Sequence, residues 1–172
     1  MIPAFENVTT ERLVLRPFRE SDLDAIFTLH SDPETNKFSS HGPMRTLDDA
    51  RERLTMWLND YSQKGVGYWA VARREAPGVI VGVGGVRHKE LQGQHVLNLA
   101  YRFSPETWGS GYATEVSRVA LELARKHIPD VPVVAIIHQL NTPSIRVAER
   151  LGMRLDRVID YEGMPSRLYL DR

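Results

Sequence analysis

The segment with the clearest chemistry is Trp108-Gly109-Ser110-Gly111-Tyr112-Ala113, set between an apolar run ending at Phe103 and an amphipathic stretch that begins at once. Two glycines one residue apart let the backbone curl so that several N–H groups converge. The next helix aims its unpaired N–H groups and the positive end of its dipole at the same point. Such an arrangement binds phosphate or pyrophosphate. Glycine pairs also occur in turns that bind nothing, so the turn gains specificity only from the segments downstream of it. A second strand pattern leads into Asn141-Thr142-Pro143-Ser144 and a helix closing on Leu151-Gly152-Met153. The order strand, glycine turn, helix, strand, Asn, helix, Leu-Gly is far more specific than either half.

Several other chemistries fail on their own residues. The chain has no cysteine, which excludes disulfides, a thiolate nucleophile and Cys-ligated zinc. Gly82-Val83-Gly84-Gly85 resembles half a dinucleotide fingerprint, but charged Arg87 to Glu90 and a turn stand where a helix is required. Those glycines fit close packing within a strand. No phosphate-loop motif with its lysine is present, and the six histidines show no i, i+4 pairing with an acid, so no metal site is expected. Lys plus Arg and Asp plus Glu both number 22, a balance with no global attraction to nucleic acid or to an anionic membrane. No run approaches the roughly 18 apolar residues of a membrane span. Met1 to Asn7 lacks the basic and apolar regions of a secretory signal, and a soluble cytoplasmic protein is expected.

The elements that must position the turn fill 172 residues, the size of one domain spanning 1–172. Arg12 to Pro17 alternates like a half-buried strand. Ser21, with Asp24 three residues on, has the form of a helix N-cap, and Leu23, Ile26 and Phe27 make that helix's stripe. Thr46 and Asp49 repeat the pattern for a second helix whose buried face is Leu47, Ala50, Leu54, Trp57, Leu58 and Tyr61. Strands at 68–72 and 79–83 are joined by the turn Glu75-Ala76-Pro77-Gly78, and a hairpin turn at 89–94 leads to a strand over 96–103. The helix after the glycine turn carries Val116, Val119, Ala120, Leu123 and Ala124 on one side. A continuous apolar run over 131–137 reads as a central strand. A helix runs from Asn141 to Gly152, and strands at 154–161 and 167–170 close the chain. Seven strands and four helices in one mixed sheet make an α/β protein.

In this order the sequence resembles the Gcn5-related N-acetyltransferases, and within them the Rim type that acetylate protein N-terminal amines. Three stretches carry the resemblance: Thr10-Glu11-Arg12-Leu13-Val14-Leu15-Arg16-Pro17 with Ser21-Asp22-Leu23; Trp108 to Glu115; and Asn141-x-x-Ser144 with Leu151-Gly152-Met153. The resemblance implies a mostly antiparallel sheet whose fourth and fifth strands splay apart to admit acetyl-CoA. Backbone groups of Tyr101, Arg102 and Phe103 would pair with the pantetheine arm. The stretch Trp108, Gly109, Ser110, Gly111, Tyr112 and Ala113 would hold the pyrophosphate through its backbone N–H groups. Asn141 would bond a pantetheine amide. Ser144 would lie by the thioester sulfur and act as the catalytic acid. Arg146 or Arg150 would meet the ribose phosphate or simply face solvent. Relatives are often dimers, and a homodimer is the matching expectation.

Three positions depart from the family pattern. Trp108 stands where Gln or Arg is usual, which backbone binding tolerates. Ala148 stands where many members carry an acidic Tyr, a role the Rim type gives to Ser at the Ser144 position. Asn98 stands where relatives often place a general base Glu, and an amide takes no proton. Glu115, His138, His88, His95 or a water chain remain as alternatives, and the sequence assigns none. Phe38 to Met44 is a candidate lid over the acceptor side.

The leading reading is direct attack of a primary amine, foremost a protein or peptide N-terminus, on the thioester of acetyl-CoA. Backbone N–H groups would stabilise the oxyanion, without a covalent enzyme intermediate. A polyamine or aminoglycoside acceptor is the second reading, and a non-catalytic CoA-binding sensor the third.

Overall fold

Strands β1 (Val8–Thr9), β2 (Leu13–Arg16), β3 (Trp69–Arg73), β4 (Ala76–Leu91), β5 (Gln94–Phe103), β6 (Val133–His138), β7 (Arg154–Tyr161) and β8 (Met164–Leu170) form one sheet in a computed structural model that describes residues 1–171. Their order is β1-β2-β3-β4-β5-β6-β8-β7, antiparallel throughout except for the parallel pair β5–β6. The sheet therefore has eight strands where the sequence suggests seven. The addition is β1, whose two residues pair with Leu15 and Val14 and are too few to show alternation.

Four helices, α1 (Leu23–Ser31), α2 (Leu47–Lys64), α3 (Tyr112–His127) and α4 (Thr142–Arg150), cover the two faces. Alternation along each strand divides the core. Trp69, Val71, Leu97, Leu99, Phe103, Ala135 and Ile137 pack with Val116, Ala120 and Leu121 of α3 and Ile145 and Ala148 of α4. Tyr68, Ala70 and Val83 pack with Ile26 and Leu29 of α1 and Ala50, Leu54 and Trp57 of α2. Residues 97, 99, 101 and 103 of β5 thus face α3 and α4, and residues 98, 100 and 102 face α1 and α2.

Local chemistry sets several boundaries differently from the periodicity. A 3-10 turn over Glu20–Asp22 precedes α1, so the cap is Asp22 and not Ser21. The Asp22 carboxylate accepts from the Arg19 N–H at 2.7 Å and grips Arg16 with both oxygens. The Thr46–Asp49 capping box forms as expected, although Leu47 is exposed at the first turn. On α3 the buried residues include Ser117 and Leu121, while Val119 and Leu123 are half-buried.

The β3–β4 turn is Arg74–Glu75, and Pro77 and Gly78 lie within β4. Register jumps from Arg73↔Ala76 to Ala72↔Ile80, so Pro77 stands in a bulge where the ladder needs no N–H from it. Further along β4, a Cβ on Gly82 would come within 2.4 Å of the Phe103 ring, so only glycine permits that strand contact. No helix among the described residues is long and apolar enough to cross a membrane.

Candidate active site

The β5–β6 ladder ends almost as soon as it begins. Leu97 pairs with Val133 and Asn98 with Val134, and the Leu97 N–H reaches the Pro132 carbonyl at 2.9 Å. Beyond that point the strands part. Backbone direction alternates along a strand, so groups of Tyr101 and Phe103 face the gap while those of Arg102 face β4. Of the three residues expected to pair with pantetheine, Arg102 therefore turns its backbone away. The Phe103 carbonyl is already occupied, accepting from the Trp108 indole N–H at 2.9 Å. Of these three residues, the main-chain groups that face the gap without a partner among the described residues are those of Tyr101 and the N–H of Phe103.

At the wide end of the gap lies the glycine turn. Gly109 and Gly111 both have φ of +81°, the left-handed region that side chains resist. The first helical bond of α3 is Glu115 N–H to the Gly111 carbonyl. Among the described residues, the N–H groups from Gly109 to Thr114 have no partner within the protein. This cluster at a helix N-terminus fits a pyrophosphate. Trp108, half exposed, ties the turn back to the strand through its indole, so its side chain is part of the scaffold.

A clamp holds the turn from beneath. Arg12 donates to the Ser110 carbonyl at 2.6 Å and to Glu115 at 2.8 Å, while the Arg12 N–H and Thr10 hydroxyl bind the other Glu115 oxygen. Burial raises the Glu115 pKa, but these hydrogen bonds outweigh it and hold the carboxyl below its ordinary value. Glu115 is spent on this clamp and is not free to act as a base. Arg150 donates to Thr114 in the first turn of α3, beside the glycine turn, and both it and Arg146 are exposed.

Asn141 and Ser144 sit across the gap at the start of α4. The Asn141 side-chain oxygen accepts from the Ser144 N–H at 3.3 Å, which caps the helix and leaves the amide NH₂ to donate outward. Next to Ser144 is the Tyr101 side chain, whose hydroxyl is buried with no geometrically sound hydrogen-bond partner. Burial raises the Tyr101 pKa, and the neighbouring Ser144 hydroxyl opposes that rise. Alternation alone could have placed this phenol on the α4 face.

On the opposite face, Asn98 donates from its NH₂ to the Tyr68 hydroxyl at 2.7 Å, and its side-chain oxygen is buried without a partner. Burial pushes the Tyr68 phenol up to about 12, so it does not ionise near neutrality. His138 uses Nδ1 to accept from the Leu140 N–H, and its ring lies 5.1 Å from that of Phe38. His88 and His95 stack on each other at the outer hairpin, with Glu90 bonded to His95. The segment after α1 crosses this face through Phe38. It is pinned at its far side where Ser40 and His41 meet Glu162.

A family model described as an acetyltransferase (GNAT) domain matches residues 12–154. YnaD of Bacillus subtilis, described as an uncharacterized N-acetyltransferase, is 28% identical over 148 residues, covering 86% of this chain and 82% of that protein. An acetyltransferase from Agrobacterium tumefaciens superposes with a TM-score of 0.82 at 23% identity, covering 96% of this chain and 94% of the other. RimL, a ribosomal L7/L12 alpha-N-protein acetyltransferase solved with coenzyme A, superposes at 0.72 with 16% identity, covering 96% and 97%. The last two likenesses are of fold. Together with the splayed strands and the glycine turn, the matched residues show that the chain belongs to the GNAT family and is an acetyl-CoA-dependent N-acetyltransferase.

Proposed function

We propose that the acceptor is the α-amine of a protein or peptide N-terminus, and the observation that supports this most is Asn98. Its unpartnered oxygen accepts a hydrogen bond from an incoming amine and orients the nitrogen, yet takes no proton. Glu115 is locked in the clamp, His138 accepts through Nδ1 from a neighbouring N–H, and Tyr68 stays neutral. A site with these groups suits an amine that is already substantially neutral. An α-amine has a pKa of about 7.7–8.0 and a lysine or polyamine amine about 10.4, so near pH 7.5 their neutral fractions differ by roughly two orders of magnitude. The proton then leaves through water.

The resemblance of the Ser144 position to the Rim type points the same way. Backbone N–H groups from Gly109 to Ala113 hold the pyrophosphate, Tyr101 and Phe103 meet the pantetheine arm along the gap, and the Asn141 NH₂ donates to it. The thioester is thereby set between Asn98 on one face and Ser144 on the other. Attack forms the C–N bond, the C–S bond breaks, and Ser144 passes a proton to the departing thiolate and regains one from water, with the Tyr101 hydroxyl beside it. A thiol of pKa about 8.5 leaves readily, so the acid only assists. The need for acetyl-CoA supports a cytoplasmic setting.

The test is thiol release from acetyl-CoA with N-terminal peptides, the same peptides blocked at the N-terminus but carrying lysine, and polyamines. Release confined to free N-termini and reduced in Ser144→Ala supports the proposal. Faster release with polyamines rejects it in favour of a small-molecule acceptor.

A further inference from the structure

Four arginines of the scaffold are matched with carboxylates: Arg12 with Glu115, Arg16 with Asp22, Arg87 with Asp60 and Arg125 with Asp171. Arg102 is different. Its side chain leaves β5 on the α1/α2 face, partly withdrawn from water, and its hydrogen-bond partner is the neutral Asn36 oxygen at 2.6 Å. Buried Asn36 is itself fixed, because its NH₂ donates to the His30 and Asp32 carbonyls at 2.8 Å. Its oxygen is therefore held toward the guanidinium. Arg53 of α2, which lies over the Trp57 ring, adds a second positive charge nearby. Among the described residues neither Arg102 nor Arg53 forms an ion pair.

The third group in the cluster is also without negative charge. Burial first, and then the Arg102 charge, hold His30 at about 3, so its imidazole is neutral, with Nδ1 against the Ile26 carbonyl. Burial and then Arg53 lower Arg102 to about 10. A half-desolvated guanidinium with a single amide partner is costly unless an anion completes its shell. Its planar fork matches carboxylate and phosphate oxygens in pairs. The pyrophosphate of the acetyl donor belongs at the α3 N-terminus on the other face of the sheet, so it does not serve here. Arg102 shares its face with Asn98. From Asn98 to Arg102 is four strand residues, about 13 Å between their Cα atoms. The long Arg102 side chain can reach back over part of that span, so an amine held at Asn98 leaves an acidic group on one of the first side chains within its range.

We propose that Arg102 and Arg53 form an anion subsite of the acceptor pocket, so that the preferred acceptor carries a carboxylate or phosphate close to its reacting amine. This rests on the α1/α2 face being the acceptor side. It narrows the N-terminal reading to acidic N-termini and sets the site against polycations.

The test measures kcat/KM for thiol release with matched acceptors. Peptides differ only by Glu or Gln at the first, second or third position; small amines are paired as β-alanine with β-alaninamide and O-phosphoethanolamine with ethanolamine. The anionic member is expected to be favoured by about ten- to hundredfold, the worth of a charge-assisted hydrogen bond. Arg102→Gln should collapse that ratio and Arg102→Lys should restore part of it. Arg53→Gln, which leaves the Asn36 contact intact, should lower it independently. Equal or better use of the neutral member overturns the inference, as does a ratio unmoved in both glutamine variants, or no release with any anionic acceptor from enzyme that binds CoA. Preference among the small amines with no peptide turned over keeps the subsite and rejects the N-terminal reading. Peptides acetylated without regard to charge do the reverse.

Discussion

The two faces of the β5–β6 gap are built on different principles. On the α3/α4 face most of the groups proposed to bind the acetyl donor are main-chain ones: an open row of N–H groups at the glycine turn and the Tyr101 and Phe103 strand edge, joined by the Asn141 amide. Charged side chains there are spent on scaffold, as the Arg12–Glu115 clamp shows. On the α1/α2 face the candidate groups are side chains: the partnerless Asn98 oxygen and the Arg102 and Arg53 cations, which have no carboxylate partner among the described residues. Backbone groups cannot be changed by substitution, so the first face suits a ligand common to a whole family. Side chains can be changed one at a time, so the second suits a ligand particular to this chain.

The largest expected effect breaks the backbone-built face. Gly111→Val forces a branched side chain into the left-handed region at φ +81°, with its Cβ about 3.4 Å from Arg12 Nη2. Strain of roughly 1–3 kcal/mol should weaken coenzyme A binding about ten- to hundredfold by calorimetry. The fold should persist by circular dichroism. Next, Ser144→Ala should slow thiol release by about tenfold or more, at the low end for general acids because the thiol leaves easily, with coenzyme A affinity little changed. Tyr101→Phe should lower kcat by less, and its loss should vanish in the Ser144→Ala background if the phenol acts through that serine.

Two acid-stability effects contrast the faces in a different measurement. His30 has a folded pKa depressed to about 3. The unfolded chain therefore binds the extra proton, and stability falls as pH drops from about 6.5 toward 3. His30→Gln should flatten that part of a urea-unfolding profile. The Glu115 carboxyl is also lowered, so its contribution is full above the unfolded carboxylate value and lost as pH falls through the folded one. Glu115→Gln should remove that lower limb and leave the region from about pH 5.5 to 6.5 untouched. If Glu115→Gln instead shifted the pH–rate profile, Glu115 would be titrating in the reaction and not holding the turn.

How much of this is legible in sequence depends on where the information resides. The glycine turn, the Thr46 cap and the Asn141 start of α4 are local features, and turn chemistry reveals them. Strand β1 is not legible, because two residues carry no period. The Pro77 bulge is not either, since a proline and a glycine together read as a turn until the partner strand fixes the register. Asp22 stands at the start of α1 in place of Ser21, and its carboxylate is taken up by Arg16 and the Arg19 N–H, not by the N–H groups of α1. For the site, sequence supplies the stretch 101–103 but not which residues turn their backbone to the gap. That is decided by the direction of the Leu97 N–H. The Trp108–Phe103 bond, the Glu115 clamp and the Arg102–Asn36 contact join residues between five and about a hundred positions apart. Only the folded chain brings them together.

The central claim is that an α-amine attacks without an enzyme base. The most direct measurement is kcat/KM for thiol release against pH, with two acceptors whose α-amines differ by about one unit in their own pKa. Attack by the free amine requires the rising limb to follow the acceptor, moving by that same unit from one peptide to the other. A limb fixed near a carboxylate or imidazole pKa whichever acceptor is used would reveal a titrating enzyme base and contradict the role given to Asn98.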